Sequence, residues 1–203
     1  MSTGKRHFSL WCLNVVLLLG VVAVAQASPL PMLQKTADNM IAKLNANSAE
    51  IKQNRQKVYQ IVKSTLIPVV DVTAMSQAVL GRHAWQQATP AQRKRFTDLF
   101  INMVIGTYAA ALSSYSNEKI RFFPVRGDGN LVTVHSEIVR QGAPNVPVSY
   151  RCMKRGSAWR VYDFSVEGVS MVATFRSQFA QIIQQQGMDG LLTRMHQHGS
   201  QLR

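Results

Sequence analysis

The chain has 203 residues, with 23 lysines and arginines against 10 aspartates and glutamates and a formal net charge of +13. This length suits one domain with a substantial core. The basic excess favours an anionic partner, which means nucleic acid, anionic lipid headgroups or an acidic protein surface. Of the two cysteines, Cys12 lies in a segment that we expect to be removed, so an intramolecular disulfide is excluded and packing must stabilise the fold.

The first 27 residues have the pattern of a signal peptide. Lys5 and Arg6 precede a nearly unbroken apolar run over residues 10–24, and the small-residue site Ala25-Gln26-Ala27 follows. We predict cleavage after Ala27, and the loss of two basic residues leaves residues 28–203 with a charge of +11. An uncleaved anchor is the alternative, and no other stretch is long and apolar enough to span a membrane. Export makes nucleic acid the least favoured of the anionic partners.

The helical spacing of apolar residues predicts three helices at the start of the mature chain, over residues 31–44, 47–66 and 73–80. Asn47 is placed to cap the second helix, and Glu50 three residues later can reach back to it. Gly81 is expected to end the third helix, because glycine readily takes the left-handed conformation of a helix end. Trp85 then falls in a turn or linker.

The clearest local signal is Thr89-Pro90-Ala91-Gln92, a capping box with proline at the first helical position. The long helix that it opens carries an apolar stripe on one side, made of Phe96, Leu99, Phe100, Met103, Val104, Tyr108 and Leu112. The basic run over residues 93–95 falls largely on the other flank. A solvated helix face explains such a run more often than a binding patch does.

After Tyr115 the apolar pattern changes from helical spacing to alternation. Four strand-like runs are separated by turn sequences and cover residues 119–126, 131–140, 146–154 and 159–166. They predict a four-stranded antiparallel meander. The last strand is ambiguous, because Val161 and Phe164 fall on opposite faces of it.

The chain returns to helix over residues 170–186, which Gly187 is expected to end, and a short last helix covers residues 189–196. The predicted fold class is therefore α+β. A single domain has one twisted antiparallel sheet, with helices before and after it in the sequence.

Sequence motifs of enzymes are weak. The sequence has no G-x-S-x-G elbow, H-E-x-x-H helix, P-loop or dinucleotide fingerprint. His196 and His198 lack the further ligands that a metal site needs. We therefore expect no catalytic residue, no metal and no cofactor. A hydrolase that uses Ser136 or Ser149 with His135 is an alternative.

Large flexible apolar side chains recur through the predicted helices and the sheet, namely Met75, Met103, Met153, Met171, Phe100, Phe175 and Phe179. Each of them alone is most simply a core residue. As a set they could also form the wall of a cavity, because methionine side chains repack at little cost around a ligand with variable tails. A basic rim would then suit a phosphate group at the mouth.

Several segments resemble the MlaC family, also called the toluene-tolerance auxiliary family. In order they are Val79-Leu80-Gly81-Arg82, Ala88-Thr89-Pro90-Ala91-Gln92-Arg93 with Phe96, Thr107-Tyr108, Val148-Ser149-Tyr150-Arg151, Trp159-Arg160-Val161-Tyr162-Asp163, Val166-Glu167-Gly168-Val169-Ser170, Phe175-Arg176 with Phe179, and Gly187-Met188-Asp189-Gly190-Leu191. No single motif is very specific, but the ordered set covers nearly all of the mature chain.

The resemblance implies a monomeric periplasmic phospholipid carrier, in which helices and a twisted sheet enclose the acyl chains and leave the headgroup near solvent. Phospholipid would be its cargo rather than a cofactor. The implied partners are an outer-membrane lipoprotein–porin complex and an inner-membrane ABC transporter with an MCE-domain substrate-binding ring. The pathway would maintain the lipid asymmetry of the outer membrane. An interaction module with a fully packed core, which only bridges membrane complexes, is the alternative.

The candidate lining residues of the acyl pocket are apolar or aromatic and comprise Val79, Phe100, Met103, Val104, Tyr108, Val134, Val148, Tyr150, Phe164, Val169, Met171, Phe175 and Phe179. Arg82 and Arg151 are candidates for the mouth, where a guanidinium can pair with phosphate. A structural ion pair or a solvated position explains each arginine equally well.

Overall fold

The computed structural model of the protein describes residues 28–113 and 118–201. The predicted signal peptide, residues 1–27, lies outside the described residues. Within the two described ranges, no helix is long and apolar enough to cross a membrane. The architecture is α+β as predicted, with one antiparallel sheet between helices that precede and follow it in the sequence.

The helices are α1 (Leu30–Ala46), α2 (Ser48–Gln53), α3 (Arg55–Leu66), α4 (Val72–Gln87), α5 (Pro90–Ser113) and α6 (Met171–Gln201). A 3-10 turn, Ile67–Val69, connects α3 to α4. The strands are β1 (Lys119–Phe122), β2 (Leu131–Val139), β3 (Val146–Arg155), β4 (Ala158–Val166) and β5 (Val169–Ser170).

The single helix predicted over residues 47–66 is two helices, and this prediction was wrong. The chain is extended at Asn54, whose side chain accepts a hydrogen bond of 3.0 Å from the backbone N–H of Gln56 and caps α3. The cap predicted at Asn47 does not form. Its side-chain amide donates instead to the carbonyl oxygen of Lys43 at 2.8 Å, so it extends the end of α1.

α4 continues past Gly81, where a helix end and a turn were predicted. Gly81 has φ 74° and ψ 162°, so the helix breaks there and then resumes. Arg93 of α5 holds the second segment, because its Nε donates to the carbonyl oxygen of Trp85 at 2.7 Å and its Nη2 to that of Gln86 at 3.1 Å. These bonds satisfy carbonyl groups that a helix end leaves free. Trp85 therefore lies in a helix rather than in a linker.

A second arginine holds α4 at the break. Arg176 of α6 donates from Nε to the carbonyl oxygen of Ala78 at 2.7 Å, and its Nη2 bonds the same oxygen. The carbonyl of Ala78 lies in the last turn before Gly81, where the helix is interrupted. Both arginines belong to segments on which the family resemblance depends.

The capping box at the start of α5 is confirmed. The backbone N–H of Thr89 donates to Oε1 of Gln92 at 2.9 Å, and the N–H of Gln92 donates to Oγ1 of Thr89 at 3.2 Å. The predicted change at Gly187 is also confirmed. This residue has φ 68° and ψ −174° and divides α6 into two helical segments.

The sheet has five strands in the order β1-β2-β3-β4-β5, all antiparallel. The four predicted strands form, but the predicted number of four was wrong. The extra strand, β5, has two residues, of which Val169 pairs with Val166 and Ser170 with Ser165. A strand this short has no alternation that a sequence pattern can reveal.

An extra residue in β4 resolves the ambiguity of the fourth strand. Arg151 of β3 pairs with Asp163, but the next residue, Cys152, pairs with Val161, so the register shifts at Tyr162. A residue inserted into one strand of an antiparallel pair reverses the alternation beyond it. Val161 and Phe164 therefore both point to the same face, although their spacing in the sequence suggests opposite faces.

The two faces of the sheet differ in burial along the central strands. Facing one side are Val132, Val134, Ser136, Val148 and Cys152, all buried. Facing the other are Leu131, Thr133, His135, Ser149, Arg151 and Met153, all half-buried or exposed. The first group packs with α1 through Leu33. We call the helix-covered side the inner face and the opposite side the outer face.

Candidate functional site

The predicted lining residues divide between two clusters. One is formed by α4, α5 and α6 with Phe164 of β4 and contains Val79, Phe100, Met103, Val104, Tyr108, Phe164, Met171, Phe175 and Phe179. Val134 and Tyr150 belong to a second cluster, on the inner face. Val148 is buried on the same face. Val169 joins neither cluster and is 63% exposed in β5.

Packing loosens along α5. Near its start, Phe96 and Phe100 are both 0% exposed and their rings stack with centroids 5.6 Å apart. Further along, Val104 and Tyr108 are only half-buried. Tyr108 contacts the sheet through Phe164, with ring centroids 5.3 Å apart and planes at 67°, and burial raises the pKa of Tyr108. We call the region where α5 meets the inner face the interlayer site, defined by Val104, Tyr108, Val148, Tyr150 and Phe164.

Tyr150 forms the sheet side of the interlayer site. It pairs in register with Val134 of β2 and Phe164 of β4, and its ring stacks on Phe122 with centroids 6.2 Å apart. Burial raises the pKa of Tyr150 above its ordinary value, and a hydrogen bond with the Ser136 side chain opposes that rise. The phenol is therefore neutral at physiological pH, as an apolar environment requires.

A cavity of about 260 Å³ lies beside this site, between α1 and β1. Its lining residues are Gln34, Ala37, Asp38, Ile41, Ile120 and Phe122. Phe122 connects the cavity to Tyr150 through the ring contact. The volume lies below the ~300–1,000 Å³ of pockets that hold drug-sized ligands. A larger apolar ligand in this region requires the helices to move away from the inner face.

Neither of the two arginines predicted at the mouth lies in the interlayer site. Arg82 is exposed and follows the break in α4. Arg151 lies on the outer face, with Nη1 3.8 Å from Oδ2 of Asp163 and its guanidinium 5.0 Å from the ring centroid of Tyr162. Arg151 thus has a structural ion pair. The phosphate-binding role of both arginines stays a prediction.

Asp163 connects the sheet to α6 and was not among the predicted site residues. Its carboxylate is 1% exposed, accepting a hydrogen bond from Oγ of Ser170 at 2.7 Å and another from the backbone N–H of Val172 at 3.1 Å. A negative charge is favourable at the N-terminus of a helix, where backbone N–H groups are free. Asp163 therefore fixes the start of α6 against β4.

One of the predicted hydrolase pairs is in contact, because Nδ1 of His135 lies 2.8 Å from Oγ of Ser149. The two residues are register partners on β2 and β3. β3 has a neighbour on each side, so the N–H groups around Ser149 are used within the sheet and are not free to stabilise an oxyanion. Ser136 lies on the inner face and bonds the carbonyl oxygen of Val148 at 3.4 Å. Across residues 28–113 and 118–201, no group of three or more potential metal ligands is found.

Comparison with known proteins agrees with the order of motifs along the chain. Residues 34–197 match the model of the MlaC protein family. The chain belongs to the MlaC family. It is 31% identical over 184 residues to the intermembrane phospholipid transport system binding protein MlaC of Haemophilus influenzae, which covers 88% of this chain and 86% of that protein. It is also 29% identical over 170 residues to the toluene tolerance protein ttg2D of Pseudomonas putida, covering 83% of this chain and 79% of that protein.

A solved structure has the same fold as this MlaC-family chain. It is a phospholipid-binding protein from Ralstonia solanacearum in complex with a phospholipid. The TM-score is 0.81 at 31% sequence identity, and the match covers 87% of this chain and 99% of that chain.

Some inner-face residues of this MlaC-family chain were not among the predicted lining residues, although the sequence carried a signal for them. Ile138 and Val166 are half-buried, Val166 pairs in register with Val148, and Ser136 bonds Tyr150. The alternation along β2 already places Ser136 and Ile138 on the face of Val134. Ser136 lacks the apolar character expected of a lining residue, whereas Ile138 has both the apolar character and the inner-face position of one.

Cys152, the one cysteine among the described residues, is expected to be unreactive toward thiol reagents. Cys152 is 0% exposed on the inner face, and burial raises the pKa of its thiol to about 12. At pH 8 this lowers the thiolate fraction about a thousandfold relative to the ordinary pKa of 9.0. We expect Ellman's reagent to label the native thiol more than about a hundredfold more slowly than the thiol in 6 M guanidinium. Rapid native labelling at pH 8 would contradict this burial.

Proposed function

We propose that this protein is a periplasmic phospholipid carrier. It takes a phospholipid from one membrane and delivers it to the other. It moves between an outer-membrane lipoprotein–porin complex and an inner-membrane ABC transporter with an MCE-domain ring, and so maintains outer-membrane lipid asymmetry. The observation that carries the proposal is the shared fold, at a TM-score of 0.81, with a phospholipid-binding protein solved in complex with a phospholipid.

The physical demand on such a carrier is burial of acyl chains. Each CH₂ group exposed to water costs about 0.8 kcal/mol, so two chains of lipid length represent on the order of 20 kcal/mol of unfavourable hydration. Only a nearly complete apolar enclosure offsets a cost of that size. The inner face and the helices opposite it supply apolar and aromatic side chains on both sides of the interlayer site.

The interlayer site is the proposed entry for the acyl chains. Here the side chains are half-buried on α5, whereas those nearer the start of the helix are fully buried. Entry of a lipid would separate Tyr108 from Phe164 and enlarge the cavity beside Phe122. The packed rings of Phe96 and Phe100 would stay in place and act as the closed end of the pocket.

The carrier role needs no catalytic residue, and the contact between Ser149 and His135 is better explained by the sheet than by hydrolysis. These residues face outward, away from the inner-face residues Val148 and Tyr150. A bound acyl ester would therefore lie on the opposite side of β3 from the hydroxyl. A sensitive esterase assay on the purified protein tests this statement, and activity that Ser149→Ala removes would reverse it.

The first test is lipid extraction and mass spectrometry on protein purified from the periplasm without detergent. We expect about one phospholipid per protein. We also expect the intact mass to equal that of a chain that begins at Ser28. If the protein is empty and stays empty after incubation with liposomes, the bridging module becomes the better account.

A tryptophan in the interlayer site is expected to displace the lipid. Val104→Trp adds bulk where α5 faces the sheet, and we expect it to lower the phospholipid per protein at least fivefold by mass spectrometry. Thr107→Trp, on the exposed side of the same helix, is the matched control and should keep the wild-type content. Val148→Phe adds volume to the same site from the sheet side. It keeps the test valid if Val104→Trp does not fold. Full lipid content in both folded inner variants would rule out this site.

A further inference from the structure

Helices cover the inner face of the sheet, whereas no helix of the described residues covers the outer face of β2 and β3. Along β2 and β3 every outward residue is half-buried or exposed, whereas the inward residues include Val134 and Cys152 at 0% exposure. An antiparallel sheet can expose one face to water when that face is polar. This outer face is not uniformly polar.

Large apolar side chains are exposed on the outer face. Leu131 is 58% exposed and Phe123 is 38% exposed. Leu131 pairs across the sheet with Met153, which also faces outward. Phe122 points inward to Tyr150, so its neighbour Phe123 points outward. Of the large apolar side chains exposed within the described ranges, only Val169 lies elsewhere.

A groove of about 470 Å³ runs beside Phe123 on this face. It is lined by Phe123, Pro124, Val125, Arg126 and His135. The paired strand β1 ends at Phe122, and Pro124 has no N–H to continue the pairing. The groove wall therefore bonds β2 only at two points, from Phe123 to His135 and between Arg126 and Thr133. A recess of this kind accepts a single protruding side chain.

Arginines surround the apolar residues of the outer face. Arg121 lies over the ring of Phe123 at 5.6 Å and is ion-paired with Glu137. Arg126 and Arg160 form no ion pair with a carboxylate of the described residues, although Arg160 donates to the carbonyl oxygen of Trp159 at 2.9 Å, so both positive charges are available to a partner. Aromatic residues, methionine and arginine are the types enriched at the centre of protein interfaces.

We propose that the outer face is a docking surface for an acidic protein partner, whose carboxylates pair with Arg126 and its neighbours while one apolar side chain fills the groove beside Phe123. A guanidinium binds a carboxylate with two parallel hydrogen bonds, which favours a partner with fixed carboxylates. A fluid bilayer presents no fixed side chain to fill a recess, and one side of the Phe123 ring is covered by Arg121. A second copy of the chain is disfavoured by the net charge, which is +11 once residues 1–27 are removed.

This inference goes beyond the proposed carrier function, because the outer face and the interlayer site lie on opposite sides of the sheet. A partner bound here leaves the acyl pocket accessible. Docking and lipid content can therefore be measured independently on the same preparation.

The test uses a defined acidic probe with ¹⁵N-labelled protein produced from the full chain. The probe is a twelve-residue peptide of glutamates and aspartates around one central phenylalanine, and its counterpart has glutamine and asparagine instead. Amide shifts should localise to residues 121–135 and to β3, and the neutral peptide should bind at least fivefold more weakly. Arg126→Glu should weaken binding of the acidic probe at least fivefold. Arg95→Glu, which makes the same charge change on the exposed side of α5, should alter it less than twofold.

Several results would overturn the docking surface. One is amide shifts that lie on another surface. A second is equal weakening of acidic-peptide binding by Arg126→Glu and Arg95→Glu, and a third is equal affinity for the neutral and the acidic peptide. A fourth is that phosphatidylglycerol vesicles perturb the same amides. Leu131→Ser provides a second variant that keeps the charge and should weaken the acidic probe at least twofold. If the wild-type protein binds the probe but contains no lipid, even after incubation with liposomes, only the carrier proposal is contradicted. Protein that carries lipid but ignores the probe would contradict the docking surface alone.

Discussion

Asp163→Ala is expected to lower the free energy of unfolding by about 3 kcal/mol, because it removes a buried carboxylate and leaves its partners unsatisfied. The hydroxyl of Ser170 and the N–H of Val172 both lose their acceptor, and α6 loses the negative charge at its start. Urea unfolding followed by circular dichroism gives the free energy directly. The midpoint should fall while the slope of the transition stays constant.

Asp163→Asn is the matched control for this loss. The amide oxygen can still accept from the N–H of Val172, and the amide nitrogen can donate to Oγ of Ser170, so the first hydrogen bond survives and the second is reversed in direction, both without the charge. We expect a loss of about 1 kcal/mol. If the asparagine and alanine variants are equally destabilised, the charge at the start of α6 matters more than its hydrogen bonds.

Phe100→Ala is expected to cost about 4 kcal/mol, in the range for removing a fully buried aromatic ring from a core. The ring of Phe100 is 0% exposed and contacts the rings of Phe96, Phe175 and Phe179. Its removal leaves a cavity between α5 and α6 that those neighbours can only partly fill. Thermal or urea unfolding measures the effect.

Phe123→Ala removes the same ring from the outer face and is the control for Phe100→Ala. Phe123 is 38% exposed and its side chain is outside the core clusters, so we expect a loss of about 1 kcal/mol or less. Equal losses from the two alanine variants would contradict the assignment of Phe100 to the core.

Elements with local signals were predictable from the sequence. The start of α5 depends on four consecutive residues, Thr89 to Gln92, and its capping box forms as predicted. The length of α4 was not predictable, because its second segment is held by Arg93 and its first by Arg176, which is 98 residues distant from its bonding partner. Helical periodicity reflects only residues that are close in the sequence, so it does not reveal bonds from distant helices.

The candidate site was predictable as a set of residue types but not as a geometry. The apolar stripe of α5 and the alternation of β2 identify the two surfaces that meet. The inward direction of Phe164 depends on the extra residue at Tyr162, which the sequence does not mark. The outward direction of Arg151 follows from its position between Tyr150 and Cys152, which the alternation along β3 places on the inner face.

The two arginines that bond backbone carbonyls of α4 make its folding cooperative with that of its neighbours. Arg93 comes from α5 and bonds two carbonyl groups near the end of α4, and Arg176 comes from α6 and bonds one beside the break. α4 therefore cannot fray without losing bonds to both helices. In amide hydrogen exchange the three helices should open together as one unit, although α4 on its own contains a glycine break that would make it an early point of local unfolding.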